Sequence, residues 1–309
     1  MHVLTGLHAL RHPPARAVVT VGVFDGVHVA HQQLIRSAIR AARRVKGTSV
    51  VITFDPDPQR VLDPATAPPA LMPLQTRIQL LKELGVGWVW IIPFTKRFAS
   101  MTAEQFIRGL LIERLRTRVL IVGETFTFGR NRRGNMDVLR TLSPRHGMQI
   151  ISVHPIVRER QPVSSSRIRR LIGRGRLAEA ARLLGRAPAL YGTVVRGTGR
   201  GRRLGFPTAN AQLIPQVLPP QGVYAVAVRA GKRRWRGVMN LGHRPTFGPG
   251  PLICEVHLLG FSGTLRGRQV SVDVLARLRG ERCFPSPEAL SRQVRYDIAR
   301  ARRIFARLT

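Results

Sequence analysis

One ten-residue stretch, residues 201–210 (GRRLGFPTAN), constrains the fold of this chain more than any other segment. Pro207 fixes its own φ and disfavours a helical Phe206, so the chain must continue from here as extended structure. Thr208 and Asn210 are two residues apart, and in a strand their side chains therefore share one face. The stretch predicts a turn that opens into a strand with two polar side chains aligned.

The segment before this strand is basic and rich in glycine, with Gly197, Gly199, Arg200 and Gly201 in close succession. Backbone amides in such loops can surround a phosphate group. A hydroxyl and an amide carbonyl are hard oxygen ligands that Mg²⁺ accepts, while phosphates and water complete its shell. The alternative is an arginine-rich turn whose following polar residues face solvent, and spacing alone leaves both interpretations open.

Residues 201–210 closely resemble the Gly-x-Pro-Thr-Ala-Asn signature of the riboflavin kinase family, which is usually the C-terminal half of a bifunctional riboflavin kinase/FAD synthetase. The resemblance implies that a loop over residues 197–203 holds MgATP, with Thr208 and Asn210 on the metal. It implies nucleotide contacts and flavin contacts at two further sets of positions. These are Gly197, Gly199, Arg200 and Arg203 for the nucleotide, and Gly205, Phe206, Pro207 and Asn240 for the flavin.

Length and charge favour two globular domains with a strongly basic surface. The chain has 309 residues and a formal net charge of +35, and its 51 basic residues include only four lysines. Basic residues are scattered along the whole chain, which favours a codon bias toward arginine over selection for polyanionic partners. The positive electrostatic field of this net charge alone predicts weak, salt-sensitive binding of nucleic acid.

Two cysteines, Cys254 and Cys283, form neither a metal-binding spacing nor a disulfide framework. The longest apolar run, residues 86–94, is too short to cross a bilayer. We therefore expect a cytoplasmic protein without a membrane partner. Self-association into a homo-oligomer is left open by the sequence.

The first half alternates strands and helices. Residues 17–21 indicate a buried strand, and helical spacing begins at His31. Further apolar runs predict a parallel, doubly wound sheet with intervening helices. The strands are expected at 48–54, 88–92, 119–122 and 148–153, and the helices near 75–84, 102–114 and 167–173.

His28 and His31 are three residues apart where the first helix begins, so both rings can face one phosphate. Imidazolium groups there would neutralise charge on a transferred nucleotidyl group, whereas ordinary capping histidines are the alternative. Residues 22–31 resemble the nucleotidylyltransferase motif GxFDGxHxGH, which makes both histidines catalytic. By the same resemblance, and by that of residues 164–169 to (S/T)SSxRIR, the nucleotide contacts are Gly22, Phe24, Asp25, Gly26, Ser165 and Arg167.

Three positions depart from the motifs of the FAD synthetases. Ala30 replaces a glycine, Asp57 replaces the histidine of FxPHP, and Thr125 replaces the Asp or Asn of VGxDFxFG. A methyl group can hinder the approach of phosphate, and a carboxylate near a triphosphate has the wrong sign for binding. The departures raise the hypothesis that adenylyl transfer is weakened, altered in substrate or lost.

The second half changes to short strands and glycine turns, which predicts a small antiparallel barrel followed by a helix over 286–308. Alternation places Glu255 and His257 on one face, away from Cys254. Glu255 is either a solvent-facing ion-pair partner or a general base. Residues 255–259 resemble the kinase family's EVHLL strand, which makes Glu255 the base. Residues 240–247 and 278–284 resemble its NxGxRPTF and LRxExxF stretches.

The expected architecture is thus a Rossmann-like nucleotidylyltransferase domain with a parallel sheet (1–186), followed by a small antiparallel β-barrel riboflavin kinase domain with a C-terminal helix (187–309). The resemblance implies that riboflavin and ATP give FMN, and that FMN and a second ATP give FAD. The alternatives are a kinase with a degenerate adenylyltransferase module, a transferase for another nucleotide or flavin analogue, and a basic nucleic-acid-binding protein.

Overall fold

The computed structural model describes residues 1–10, 12–197, 199–242 and 252–307, without the side chains of Arg200 and Arg203. Residues 243–247 of the NxGxRPTF stretch lie outside this part of the chain. Contacts divide the chain into two compact units, one of Met1–Pro68 with Pro73–Ser165 and one of Pro69–Met72 with Ser166–Thr309. The boundary expected at residue 186 stays a prediction about which segments fold independently.

The first unit contains a sheet of six parallel strands in the order β1-β4-β3-β2-β5-β6, which confirms the predicted parallel sheet. Strand β2 has β3 on one side and β5 on the other, so the direction of chain progression reverses beside it. In open α/β sheets, ligands bind outside the carboxyl ends of strands at such a point. The strands are β1 His2–Thr5, β2 Val18–Val21, β3 Ser49–Asp55, β4 Trp88–Pro93, β5 Val119–Gly123 and β6 Gln149–Val153.

Apolar residues cover both faces of this sheet, as parallel sheets require. On one face Val18 and Ile121 pack with Ala38 of the first helix, and on the other Val19 packs in a cluster with Leu111. A two-stranded hairpin, β7 Val157–Arg158 and β8 Gln161–Pro162, also belongs to this unit. The helices are α1 Val29–Arg44, α2 Pro58–Leu62, α3 Leu74–Glu83, α4 Lys96–Ala99, α5 Ala103–Gln105 and α6 Met136–Leu142.

The helix expected at 102–114 is instead the short α5 followed by a π-helix, Phe106–Arg114. The buried side chains are Phe106, Ile107, Leu110 and Leu111. An α-helix and a π-helix both place residues at this spacing on one side, so the apolar pattern could not distinguish the two helix types.

The second unit contains a closed antiparallel barrel of six strands in the order β10-β13-β12-β11-β14-β9, which confirms the predicted barrel. Helices α7 and α8 precede it, α9 is a single turn inside the predicted 197–203 loop, and α10 follows the last strand. The elements are α7 Ser165–Gly173, α8 Leu177–Leu184, β9 Ala189–Val195, α9 Arg200–Arg203, β10 Thr208–Leu213, β11 Gly222–Ala230, β12 Arg233–Gly242, β13 Ile253–Leu258, β14 Gln269–Arg279 and α10 Pro287–Ala306.

Inward-facing side chains fill the barrel, among them Tyr224, Met239 and Cys254. Burial raises the pKa of the Cys254 thiol to about 12. Outside the barrel, Arg279 Nε donates to a carboxylate oxygen of Asp297 at 2.9 Å, which ties α10 to β14. Within the described residues, no helix combines the length and the apolar character that a membrane span needs.

Candidate active sites

The loop after β2 is a tight turn held in an unusual backbone conformation. Phe24, Gly26 and Val27 have φ values of 54°, 84° and 37°, which lie in the left-handed region. A β-branched valine at positive φ is a genuine outlier, and such strain concentrates at functional sites. Gly22 precedes the turn, and a Cβ at this position would lie 3.0 Å from Cζ of Phe24. The glycine therefore lets the Phe24 ring fold back over the end of β2.

This turn delivers two stacked histidines. His28 is the N-cap of α1, and its Nδ1 accepts a hydrogen bond from the backbone N–H of His31 at 3.3 Å. Because Nδ1 accepts, the neutral His28 ring carries its proton on Nε2. The two ring centroids are 3.5 Å apart with 18° between their planes. The site thus brings both predicted histidines together, and the Nδ1 of His28 is used to cap α1.

Burial, the neighbouring His28 and the guanidinium of Arg77 all lower the pKa of His31 well below its usual value. Its Nδ1 is inaccessible and has no hydrogen-bond partner in the described part of the chain. These effects favour the neutral form of His31 in the free protein, and the imidazolium expected beside a transferred nucleotidyl group stays a prediction. The negative charge of a bound polyphosphate would be required to raise its pKa.

Ser165 contacts the histidine turn within the first unit. Its Oγ donates to the backbone carbonyl of Asp25 at 2.8 Å, across 140 residues of sequence. This bond anchors the turn that carries His28. Arg167 lies in the first turn of α7 with its side chain buried.

The three departures from the motifs occupy different settings. Ala30 lies in the first turn of α1, a helical conformation that alanine adopts without strain. Asp57 is the N-cap of α2, and its carboxylate accepts from the Gln59 N–H at 2.9 Å. Thr125 is exposed in the turn after β5. None of the three positions distorts the backbone that carries it.

Two residues of this site, Arg77 and Thr53, were not singled out from the sequence. The Arg77 side chain is only 5% exposed, and its Nη1 donates to Thr53 Oγ1 at 3.2 Å and to the Phe54 carbonyl at 3.1 Å. In a chain so rich in arginine, one more gave no signal. Its position four residues before the buried Leu81, on the inner face of α3, was the available clue.

The barrel site is set by strand register. Glu255 on β13 pairs directly with Asn210 on β10 and with Asn240 on β12. Directly opposed residues have their Cβ atoms about 4.5–5.5 Å apart, so these three side chains are immediate neighbours. Thr208 pairs with His257 on the same face. The burial pattern of β13 confirms the alternation, because Cys254, Val256 and Leu258 are buried while Glu255 and His257 are only partly buried.

The glycine-rich segment lies directly against this face. A Cβ on Gly197 would lie 2.1 Å from Nδ2 of Asn210, and one on Gly201 would lie 3.1 Å from Oγ1 of Thr208. Gly199 has φ 75°, a left-handed conformation that favours glycine. The segment therefore packs its backbone on the two predicted metal ligands, while the side chains of Arg200 and Arg203 lie outside the described residues.

The turn from Gly205 to Pro207 is held by His257. Gly205 has φ 83°, and the backbone N–H of Phe206 donates to the carbonyl of Gly201 at 2.7 Å. His257 Nδ1 is 2.8 Å from the carbonyl of Pro207, so this nitrogen carries the proton and donates. The Phe206 and His257 rings meet edge to face at 5.8 Å.

The side-chain oxygens on this face suit a hard cation. Within the described residues, no hydrogen bond engages the side chains of Thr208, Asn210 or Glu255, and no group of three His, Cys, Asp or Glu forms a metal-binding cluster. A hydroxyl and an amide oxygen are a ligand set for Mg²⁺ that substrate phosphates and water complete. The donor chemistry therefore fits the magnesium that the sequence predicted.

Comparison with known proteins assigns the two halves of the chain to two different family models. The family model for FAD synthetase matches residues 10–167, and that for riboflavin kinase matches residues 184–305. The bifunctional riboflavin kinase/FMN adenylyltransferase of Escherichia coli is 36% identical over 99% of this chain and 98% of its own length. The Haemophilus influenzae protein of the same name is 34% identical over 99% of both chains.

A crystal structure described as a macrolide-efflux protein from Streptococcus pneumoniae is 31% identical, with a TM-score of 0.87 over 98% of this chain and 99% of that one. That description concerns the other protein, and the two chains share a fold over nearly their whole length. Both family models and two full-length relatives above 30% identity lead to one conclusion: this chain belongs to the family of bifunctional riboflavin kinases/FMN adenylyltransferases.

Proposed function

We propose that this protein converts riboflavin to FMN in its barrel and FMN to FAD at the histidine turn, using one ATP in each step. The observation that carries the proposal is the direct pairing of Glu255 with Asn210 and Asn240, beside a glycine-rich segment packed on Thr208 and Asn210. The match of residues 10–167 to the FAD synthetase model and of residues 184–305 to the riboflavin kinase model supports the assignment of the two reactions to the two sites.

In the kinase step, Glu255 is the general base. Its carboxylate accepts the proton of the terminal ribityl hydroxyl while that oxygen attacks the γ-phosphorus of ATP, and the bond to ADP breaks. The segment from Gly197 to Arg203 binds the nucleotide, and Gly205, Phe206, Pro207 and Asn240 lie on the flavin side. His257 holds the Pro207 carbonyl and so keeps this turn in place.

Thr208 and Asn210 would hold the magnesium of MgATP. The ion supplies positive charge that offsets the negative charge of the phosphate oxygens during transfer. The protein's own contribution is to fix both oxygens by strand register, since they occupy alternate positions of β10.

In the adenylyl step, an oxygen of the FMN phosphate attacks the α-phosphorus of ATP, and pyrophosphate leaves. His28 donates from Nε2 to a phosphate oxygen, because its Nδ1 is occupied by the N-cap hydrogen bond. His31 stacks on this ring and becomes a cation only in the field of the bound polyphosphate. Ser165 fixes the turn through Asp25, and Gly22, Phe24 and Gly26 are the nucleotide contacts of this turn. The resemblance of residues 164–169 to (S/T)SSxRIR makes Arg167 a further nucleotide contact.

Two remaining expectations belong to the same proposal. Both cysteines are free thiols, and Cys254 is buried, which agrees with a protein that acts in the reducing cytoplasm. Nucleic-acid binding is expected to be weak and to disappear with salt, because it arises from net charge.

The test is chromatographic product analysis of the purified protein with riboflavin and MgATP, beside Glu255→Ala. We expect FMN and FAD from the wild type, neither from Glu255→Ala with riboflavin, and FAD from Glu255→Ala when FMN is supplied. FMN without FAD from the wild type would favour the kinase-only alternative. Neither product from the wild type would refute the proposal.

A further inference from the structure

Arg77 is a buried guanidinium whose position requires an explanation. Transferring a charged group from water into a protein interior is costly unless the charge is paired or used. The side chain is 5% exposed, and no carboxylate of the described residues lies within ion-pair distance of it. Asp25, Asp55 and Asp57 act on it only at longer range. Arg77 is therefore a buried cation without a direct counter-ion.

A chain of two hydrogen bonds connects Arg77 to the histidine turn. Nη1 of Arg77 donates to Thr53 Oγ1 at 3.2 Å, and the Thr53 hydroxyl donates its single proton to the Val23 carbonyl at 3.0 Å. Val23 immediately precedes the strained segment from Phe24 to Val27. Because a threonine hydroxyl has one proton, its donation to Val23 leaves its lone pairs to accept from Arg77. The chain of bonds connects α3 through β3 to the turn.

The charge of Arg77 also reaches the histidine pair. The groups that act on His31 are His28 on its own helix and Arg77 from α3, and both lower its pKa together with burial. The rings of Phe24 and His31 meet edge to face, with their centroids 5.2 Å apart. Burial lowers the pKa of Arg77, and the negative charges of Asp25, Asp55 and Asp57 raise it. The positive charge of Arg77 near His31 also attracts the negative charge of a phosphate bound at the turn.

We propose that Arg77 is a positioning residue for adenylyl transfer: through Thr53 it fixes the turn that presents His28 and His31 to ATP. The inference rests on the proposed FAD formation. It adds a residue that acts on the reacting groups through another side chain. Arg77 lies outside both segments that resemble nucleotidylyltransferase motifs, residues 22–31 and 164–169.

The experiment measures FAD formation from FMN and MgATP for Arg77→Met, Arg77→Lys, Thr53→Val and Thr53→Ser. We expect Arg77→Met to lower kcat about 100-fold, more than it changes KM, because a misplaced catalytic group costs about that much. Thr53→Val should lower kcat less, and Thr53→Ser, which keeps the hydroxyl, should restore it. Lys82→Met removes a positive charge from the exposed side of the same helix and should change nothing.

Two further readouts separate positioning from general damage. FMN formation by the barrel of the same protein reports whether each variant is folded, and it should equal that of the wild type. The His31 ring, assigned by its absence in His31→Asn, is titrated by ¹⁵N NMR without nucleotide. Its pKa should rise in Arg77→Met, because a nearby cation is removed, and should stay low in Arg77→Lys and Thr53→Val.

The outcomes are distinct. A wild type that forms no FAD refutes the proposed adenylyl transfer, and this role with it. A wild type that forms FAD, with an Arg77→Met variant of unchanged kcat, overturns the role of Arg77 alone. Loss of activity in Thr53→Ser equal to that in Thr53→Val overturns the hydrogen-bond chain, since the hydroxyl would then be irrelevant.

Discussion

The two candidate sites differ in the part of the backbone that places their side chains. In the barrel, Glu255, Asn210 and Asn240 are neighbours because two antiparallel ladders fix their register. At the histidine turn, the groups come from a strained loop, from the end of β3 and from α3, and single hydrogen bonds join them. A site built on register follows from the alternation of residues, whereas a site built on a loop depends on contacts between distant segments.

The largest expected effect tests the register-built site. Glu255→Gln should lower FMN formation about 100- to 10,000-fold, because the amide cannot accept the hydroxyl proton, and should leave FAD formation from supplied FMN intact. Glu288→Gln, an exposed carboxylate in the first turn of α10, is the matched control. Rates are measured by chromatography of the flavins. Equal loss of both activities would break the separation of the two sites.

The complementary variant at the loop-built site is His28→Asn. Asparagine retains an N-cap oxygen for α1 but removes the Nε2–H, so FAD formation should fall about 100-fold while FMN formation is unchanged. His146→Asn, an exposed histidine of the same unit, should have no effect. A His28→Asn protein that forms FAD at the wild-type rate would show that the imidazole is not needed.

A smaller effect is expected where the backbone closes on the barrel site. In Gly197→Ala the new Cβ would lie 2.1 Å from Nδ2 of Asn210, so the amide must move. Such overpacking costs about 1–3 kcal/mol, and we expect the KM for MgATP in FMN formation to rise about 10-fold. Gly173→Ala has open space at its Cβ and serves as the control. An unchanged KM would remove Asn210 from the nucleotide site.

The smallest effect concerns a departure from the family motif. Asp57→Asn keeps a capping oxygen for α2 and removes one negative charge, so the KM for ATP in FAD formation should fall about threefold. Asp63→Asn at the other end of α2 is the control. If low salt does not enlarge the difference, the effect is not electrostatic and the charge argument for Asp57 fails.

The same contrast explains what the sequence could predict. The parallel sheet, the barrel and the face shared by Glu255 and His257 followed from apolar periodicity, and the structure confirms each of them. The sequence could not predict that Gly197 packs on Asn210, or that Ser165 bonds to Asp25, because those contacts join segments without a shared period. Arg77 was missed for a different reason: its burial depends on where α3 packs, and arginine is common throughout this chain.

The barrel interior has one practical consequence. The Cys254 thiol, with a pKa of about 12, forms almost no thiolate near neutral pH, whereas Cys283 is exposed. An alkylating dye should therefore label one defined position of the native chain without prior mutagenesis. A fluorophore at Cys283, four residues after the end of β14, would report optically on the surroundings of the segment that joins the barrel to α10.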